Sequence, residues 1–230
     1  MAETVEFMSN GATASGYLVR PERGRGPGIL VVQEWWGLHP GIKEMAARLA
    51  EGGFTALVPD LFRGELAAHD EMDKAASLMT SLPPDRAARD MSGAIDYLMS
   101  DAGVTGEKVG VVGFCMGGML SLVIAANRGD VVAAVVPFYG FPQGDAEPDW
   151  SGLTAVERGH MAENDDFFPP AAAQALESKL QALGKDVAFT IYPGTGHAFM
   201  GPADAFGTLD NDLAAEIWPG VLSFLHDQLG

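Results

Sequence analysis

Short runs of apolar residues alternate along this chain with segments in which apolar residues recur every three or four positions. A continuous apolar run of five or six residues is typical of a strand that is buried on both faces of a parallel sheet. A recurrence near 3.6 residues is typical of a helix with one face against a core. Because the two patterns alternate after an initial pair of strand-like segments, we predict an α/β fold: a mainly parallel sheet with helices on both faces.

Eight segments carry the strand pattern, and most are rich in β-branched residues and bounded by turn-forming residues. The first two form a hairpin around Ser9-Asn10-Gly11, because Asn-Gly is a favoured two-residue turn. The seventh has the weakest pattern, since charged residues interrupt its apolar run. The predicted strands are 5–8, 14–19, 28–33, 54–59, 109–114, 131–139, 153–162 and 187–192.

Six segments carry the helix pattern. Asp85 is well placed to begin one of them and Gly184 to end another. The predicted helices are 41–51, 71–82, 85–99, the proline-free run after residue 115, 170–183 and 213–229. We predict loops at 140–152 and 193–197, and a less regular segment, 64–84, over the top of the sheet.

The chain has 230 residues and a formal net charge of −17, with no internal repeat and no linker. That length suits one domain with a sizeable core, so we predict a single α/β domain over residues 1–230. The acidic balance excludes nucleic acid and an anionic membrane as partners, because both need a basic face. We expect a monomer or a weak homodimer. The expected binding partner is a small-molecule substrate.

The chain shows no signal peptide and no apolar run of membrane-spanning length. Its one cysteine cannot form an internal disulfide, which favours a reducing cytoplasm. Neither C-x-x-C nor H-E-x-x-H spacing is present, so we expect no metal and no cofactor.

That cysteine lies at the centre of the most informative stretch of the sequence. Gly113-Phe-Cys115-Met-Gly117 follows an apolar strand and precedes a helix. This is the context of a nucleophile elbow, in which small residues permit a tight turn and the central residue projects at a helix N-terminus. The N-terminus of a helix favours a developing anion there. The stretch therefore predicts Cys115 as a nucleophile.

Two further residues stand where an α/β-hydrolase needs them, in the chain order nucleophile, acid, histidine. Asp165 follows the seventh predicted strand and His197 the eighth. A histidine could take the thiol proton, and an aspartate could fix its tautomer. Asp165 could instead cap the next helix, and Asp166 is the competing acid.

Five motifs carry a family resemblance from about residue 28 to the end of the chain. By these motifs the chain resembles the dienelactone hydrolase family of cysteine α/β-hydrolases. The resemblance implies the α/β-hydrolase fold, with Cys115 as nucleophile, His197 as base and Asp165 as its orienter. The motifs are Gln33-Glu34-Trp-Trp-Gly37, Val58-Pro-Asp60-Leu-Phe62, Gly113-Phe-Cys115-Met-Gly117-Gly118, Asp165-x-Phe-x-Pro169 and Tyr192-Pro-Gly-Thr-Gly-His197-Ala-Phe199.

The family also uses a glutamate that matches Glu34, and we expect it to hold the resting Cys115 as a neutral thiol and to accept its proton when substrate arrives. A structural hydrogen bond to its own loop is the alternative. The N–H groups of Met116 and Trp35 are the expected oxyanion donors, because they follow the nucleophile and the third strand. The implied reaction is hydrolysis of an ester or lactone through a thioester.

The chain departs from the better-studied members in one respect, because no arginine follows His197. We expect Arg63 to serve as a partial substitute for binding a substrate carboxylate. Trp36, Phe62 and Phe199 are expected to line an apolar pocket. The pattern therefore favours an aryl ester, a neutral lactone or another small apolar acyl group.

Three other functions compete with the hydrolase. A glutaminase-type amidotransferase also uses G-x-C-x-G, but it has a glutamate two residues after its histidine, where Phe199 stands here. A non-catalytic relative that binds a small apolar ligand would not need the three residues together. A flavodoxin-like nucleotide domain would carry a phosphate loop or a G-x-G-x-x-G motif after the first buried strand.

Overall fold

Eight strands form one sheet in the computed structural model, which describes residues 1–201 and 203–230. The strands are β1 (Ala2–Ser9), β2 (Ala12–Val19), β3 (Gly26–Val32), β4 (Thr55–Pro59), β5 (Val104–Phe114), β6 (Val132–Phe138), β7 (Val156–Asn164) and β8 (Val187–Gly196). The helices are α1 (Pro40–Glu51), α2 (Met72–Ser81), α3 (Pro84–Ser100), α4 (Met116–Asn127), α5 (Pro170–Ala182) and α6 (Asn211–Leu229).

The strand order across the sheet is β1-β2-β4-β3-β5-β6-β7-β8. β2 runs antiparallel to both of its neighbours, and every other pair is parallel. The predicted mainly parallel sheet of eight strands is therefore confirmed. Since parallel strands end at one edge, the residues that follow β3, β5, β7 and β8 share that edge.

The hairpin of β1 and β2 turns at Asn10-Gly11. Both residues have positive φ, 45° and 90°, as a type I′ turn requires. Ser9 pairs with Ala12, so the loop contains two residues only. Both strands are longer than the predicted ones, because residues 2–4 pair with residues 17–19 and residues 12–13 pair with residues 8–9.

Helices cover both faces of the sheet and bury a separate apolar cluster on each. One cluster contains apolar residues of α3, α4 and α5, and the other those of α1 and α6. The strands supply both clusters because alternate side chains of one strand point to opposite faces. Leu30 and Val32 face the first cluster, whereas Ile29 and Val31 face the second. The predicted layer arrangement is confirmed.

Beyond the hairpin, the largest differences from the predicted strand boundaries are in β5, β7 and β8. β5 starts five residues earlier, where Val104 pairs with Gly26 beyond a register shift in β3. β7 starts at Val156 and ends two residues later than predicted. β8 continues to Gly196, so all but the last residue of the predicted loop 193–197 belong to this strand. Pairing with β7 overrides the turn preference of the Pro-Gly-Thr-Gly segment.

The segment 64–84 contains α2 and covers Trp36 at the carboxyl end of β3. Ala67 and Ala75 are buried against the Trp36 ring in a small third cluster. None of the helices in the described part of the chain combines the length and the apolar character needed to cross a membrane.

Candidate active site

Cys115 occupies a strained turn between β5 and α4. Its backbone has φ 54° and ψ −117°, a conformation that residues other than glycine rarely adopt. The Cys115 N–H donates to the carbonyl of Phe138, and its carbonyl accepts from Met119. The strain is held by bonds to a neighbouring strand and to the helix, as in a nucleophile elbow.

The glycines on either side of Cys115 are required by close backbone contacts. A Cβ on Gly113 would lie 2.0 Å from the carbonyl oxygen of Gly117, and one on Gly117 would lie 2.2 Å from that of Val32. A Cβ on Gly140 would lie 1.9 Å from the carbonyl oxygen of Cys115. The elbow is therefore packed against both β3 and the loop after β6.

The side chains of Cys115, His197 and Asp165 form one line of contacts. The Sγ atom of Cys115 lies 3.3 Å from Nε2 of His197, and Nδ1 of His197 lies 2.8 Å from Oδ2 of Asp165. His197 and Asp165 are buried, and Cys115 keeps part of its surface accessible. A thiol, an imidazole and a carboxylate in this order have the geometry of a nucleophile, a base and its orienter.

Asp165 does not cap α5, whose first residue is preceded by Pro169 with no side-chain cap. Its Oδ1 atom accepts instead from the N–H groups of Phe167 and Phe168, both at 2.9 Å. Asp166 is exposed and makes no hydrogen bond with its side chain among the described residues. Of the two candidate acids, Asp165 is the one that contacts His197.

Burial raises the pKa of the Cys115 thiol well above its usual range, and the charge of Glu34 raises it further. The charge of Asp165 acts in the same direction, whereas the N–H of Met116, which points at the sulfur, partly opposes them. Burial and neighbouring negative charges disfavour the thiolate, whereas a hydrogen-bond donor favours it. These surroundings favour the neutral thiol over the thiolate.

Glu34 is buried at the end of β3, only 3% exposed, with two buried donors beside it. Nε2 of His39 lies 3.7 Å from its Oε2. The Tyr139 hydroxyl is the second donor, and it has no hydrogen-bond partner of good geometry among the described residues. Burial and the charge of Glu34 raise the pKa of Tyr139, so its hydroxyl stays protonated.

The predicted oxyanion donors lie on the two loops that flank the sulfur. Met116 is the first residue of α4, and its N–H points at Cys115. Trp35 follows β3, and its N–H makes no hydrogen bond to any described residue. The Trp35 N–H thus has no partner among the described residues that an oxyanion would have to displace, and the Met116 N–H is directed at the sulfur itself.

Aromatic rings that sequence reasoning missed surround His197. Phe167, Phe168 and Phe206 have ring centroids 4.9, 5.8 and 5.3 Å from the imidazole, and Tyr139 lies at 5.3 Å. Phe167 is half exposed. Phe167 and Phe168 belong to the Asp165 motif and could have been proposed from it, whereas Phe206 lies in a loop without a sequence signal.

The three aromatic residues predicted to line a pocket are buried in apolar clusters. Trp36 contacts Trp35 and His69 under the segment 64–84. Phe62 is 4% exposed and packs in the cluster of α3 and α4. Phe199 is fully buried and packs against the ring of Tyr139. None of the three presents more than a small part of its surface to a ligand.

Arg63 has its contacts away from the candidate triad, which gives no support to its predicted role in binding a substrate carboxylate. Its guanidinium donates to both carboxylate oxygens of Asp90 at 2.9 Å and to the carbonyl of Thr13. Asp90 is buried, so the pair binds α3 to the first hairpin. A buried carboxylate needs this cation, so Asp90 competes with any substrate carboxylate for the guanidinium.

Comparison with known proteins is consistent with this architecture. A family model described as "Dienelactone hydrolase family" matches residues 14–229. "Protein usf" of Aquifex pyrophilus is 34% identical, and the alignment covers all of both chains. A protein of Aquifex aeolicus named "Putative carboxymethylenebutenolidase" is 31% identical, again over the whole of both chains.

Solved structures agree at the level of the fold. The structure named "m3DLH" has a TM-score of 0.87 and 25% identity, and the match covers 100% of this chain and 99% of that one. A dienelactone hydrolase of Klebsiella pneumoniae, named as putative, has a TM-score of 0.82 and 24% identity over 98% and 99% of the two chains. The expected α/β-hydrolase fold is confirmed.

Proposed function

Because this chain belongs to the dienelactone hydrolase family, we propose that it hydrolyses a small ester or lactone through a thioester on Cys115. The observation that carries this proposal is the continuous line from Sγ of Cys115 through His197 to Oδ2 of Asp165, with separations of 3.3 and 2.8 Å. Such a line lets a proton leave the sulfur while the imidazole stays in one orientation.

In the first half of the reaction, the Cys115 sulfur attacks the carbonyl carbon and its proton leaves. Nε2 of His197 is the acceptor, since it lies nearest the sulfur, and Asp165 stabilises the imidazolium that forms. The N–H groups of Met116 and Trp35 hold the oxyanion. When the carbon–oxygen bond breaks, the imidazolium returns the proton to the departing oxygen, and the acyl group remains on sulfur as a thioester.

In the second half, water attacks the thioester carbon. His197 takes a proton from this water, and the same oxyanion donors serve again. The carbon–sulfur bond then breaks, the acid leaves, and the sulfur recovers a proton from the imidazolium. The cycle needs no group beyond substrate, water and the residues named.

Glu34 acts before the attack. Its charge disfavours the thiolate, so the resting sulfur is a neutral thiol and resists oxidation. Substrate entering beside Trp35 disturbs the contact between Glu34 and Cys115, and Glu34 is then a second acceptor for the thiol proton. Activation is thereby coupled to the presence of substrate.

The surroundings of the sulfur favour an uncharged, aromatic or otherwise apolar substrate. Phe167 is half exposed beside His197, and its ring also approaches Trp35 at 6.2 Å. No lysine or arginine of the described residues forms an ion pair with the candidate triad, whereas the carboxylates of Glu34 and Asp165 lie close to the sulfur. Aryl esters and neutral lactones fit this environment better than dicarboxylates.

The test is a panel of p-nitrophenyl esters and neutral lactones assayed with the wild type and Cys115→Ala. We expect hydrolysis by the wild type and loss of at least a thousandfold in the variant. Mass spectrometry of the wild type stopped during turnover should show one acyl group on the peptide that contains Cys115. Hydrolysis that survives Cys115→Ala would mean that the sulfur is not the attacking atom.

A further inference from the structure

The two ring nitrogens of His39 have different environments. His39 precedes α1, and its Nδ1 accepts a hydrogen bond from the Gly41 N–H at 3.1 Å. A ring nitrogen that accepts carries no proton, so the neutral imidazole carries its proton on Nε2. The first turn of α1 therefore fixes both the tautomer and the direction of the Nε2–H.

That Nε2 atom lies close to the Glu34 carboxylate. The separation from Oε2 is 3.7 Å, which is longer than a hydrogen bond, and Nε2 has no partner among the described residues. Both side chains are buried, with 6% and 4% of their surfaces exposed. A shift of the carboxylate by about 1 Å would complete the bond.

The cap of α1 alone does not require a histidine. Serine, threonine, aspartate and asparagine are the usual capping residues, and each would leave no second donor. A buried N–H without a partner destabilises the folded protein. The structure thus holds an unsatisfied donor next to Glu34, the carboxylate whose charge acts most strongly on the Cys115 sulfur.

We propose that His39 is a positioning residue for Glu34 when His197 is the group that takes the thiol proton: its Nε2–H receives the carboxylate as it turns away from Cys115 and holds it there as an anion. This inference rests on the proposed function, in which substrate disturbs the contact between Glu34 and the thiol. In the resting enzyme the charge of Glu34 acts on the sulfur, and its Oε2 lies 3.7 Å from Nε2 of His39. During the reaction the bond to His39 keeps the negative charge from returning to the sulfur.

The charged and titratable groups around the pair are consistent with a neutral donor. The His69 ring stands behind His39, with centroids 5.0 Å apart, and burial lowers the pKa of His69. No imidazolium therefore stands behind His39 at neutral pH. The groups on the surrounding elements are Cys115 and Tyr139 beside Glu34, Asp70 beside His69, and Glu44 and Glu71 at the surface cavity that His39 and His69 line.

The contact can be tested without any assay of activity. Two-dimensional spectra of the protein with ¹⁵N-labelled histidine report the tautomer of each ring, and His39→Asn assigns the signals of His39. We expect the Nε2–H tautomer in the wild type, and a changed Nε2 shift in Glu34→Gln. An Nδ1–H tautomer, or an Nε2 shift that Glu34→Gln leaves unchanged, would overturn the inference.

Kinetics test the effect of the contact between His39 and Glu34 on catalysis. His39→Asn keeps a good cap and removes the Nε2–H. We expect kcat/KM to fall about tenfold, the loss expected for a hydrogen bond to a charged group, with the acid limb of the pH profile moved to higher pH. In a Glu34→Gln background the same change should have less than a twofold effect. His69→Asn, which leaves the Nε2–H of His39 in place, is the control and should stay within twofold of the wild type.

An equal loss in both backgrounds would show that His39 acts on the fold and not on Glu34, and would reject the proposal. A failure of the proposed function would be recognised from a different experiment. Hydrolysis that persists in Cys115→Ala would remove the catalytic role of the sulfur, whereas the nitrogen spectra would still decide whether His39 faces Glu34.

Discussion

Asp165 holds His197 with one carboxylate oxygen and its own loop with the other. Oδ2 contacts Nδ1 of His197 at 2.8 Å, while Oδ1 accepts from the N–H groups of Phe167 and Phe168. The loop bonds fix the carboxylate, and the carboxylate fixes the imidazole. The orientation of the base thus depends on backbone that also carries the aromatic rings beside it.

Because the two carboxylate oxygens of Asp165 have different partners, we expect Asp165→Asn to have a large effect on kcat. The amide oxygen would keep the two loop N–H groups, so its NH₂ would face Nδ1 of His197. Nδ1 would then have to accept, and Nε2 would carry the proton and could not take one from Cys115. We expect kcat to fall by about a hundredfold or more with little change in stability.

Asp166→Asn is the matched control, because its carboxylate is exposed and contacts none of these groups. Its kcat should stay within about twofold of the wild type. If Asp166→Asn were the damaging variant and Asp165→Asn the harmless one, the assignment of the orienting acid would be reversed.

The reactivity of the thiol gives a second prediction. Since burial and the charge of Glu34 both raise the pKa of Cys115, little thiolate is present at pH 8 and alkylation by iodoacetamide is slow. Glu34→Gln removes one of these causes and lowers the thiol pKa. We expect alkylation at pH 8 to become about three- to tenfold faster.

Glu44→Gln is the control for net charge, since Glu44 is exposed on α1. It should leave the alkylation rate unchanged. Should Glu34→Gln also leave alkylation and turnover unchanged, Glu34 would have only a structural role in its loop.

The elbow glycines provide a third prediction, with a matched pair of alanine substitutions in two helices. A Cβ on Gly117 would meet the carbonyl oxygens of Val32 and Gln33 at 2.2 and 2.7 Å, whereas a Cβ on Gly220 of α6 would meet nothing within 4 Å. Gly117→Ala should lower the free energy of unfolding by about 3 kcal/mol or more, since backbone atoms must move. Gly220→Ala should raise it by about 0.5–1 kcal/mol, because alanine favours the helix. Urea denaturation of both variants measures the difference, and equal effects would contradict the packing described for the elbow.

The chain order of Cys115, Asp165 and His197 was enough to predict that they meet, because each follows a parallel strand and such strands end at one edge. Their roles remain proposals. The partners of Arg63 and His39 could not be predicted in this way. Arg63 pairs with Asp90 across 27 positions of sequence, and the contact of His39 with Glu34 depends on how α1 leaves the sheet. Local pattern does not encode such contacts between side chains.

The same limit applies to β8 and to the rings beside the imidazole. The residues 193–196 have the composition of a loop, yet they continue β8 because Asn164 of β7 pairs with Gly196. Phe206 lies in a loop of mixed composition and reaches His197 only through the fold of the chain between β8 and α6. Propensity describes single segments, and these features arise from two segments that meet.

A buried acid far from the candidate triad makes the stability of the protein depend on pH. Glu157 of β7 is fully buried, neither carboxylate oxygen has a partner among the described residues, and burial raises its pKa from 4.5 to about 8. Below about pH 4.5 the group is protonated in the folded and the unfolded chain alike. Between pH 4.5 and 8 only the unfolded chain ionises it, so the stability contributed by this group falls as pH rises through that window.

Glu157→Gln should therefore be more stable than the wild type at pH 8 and similar to it near pH 4.5. At about 1.4 kcal/mol for each pKa unit, the gain at pH 8 has an upper limit of about 5 kcal/mol. Urea denaturation at several pH values measures it, with the exposed Glu216→Gln as the control for net charge. A gain that is the same at every pH would come from packing and not from ionisation, because only the ionised carboxylate is penalised by burial in this window.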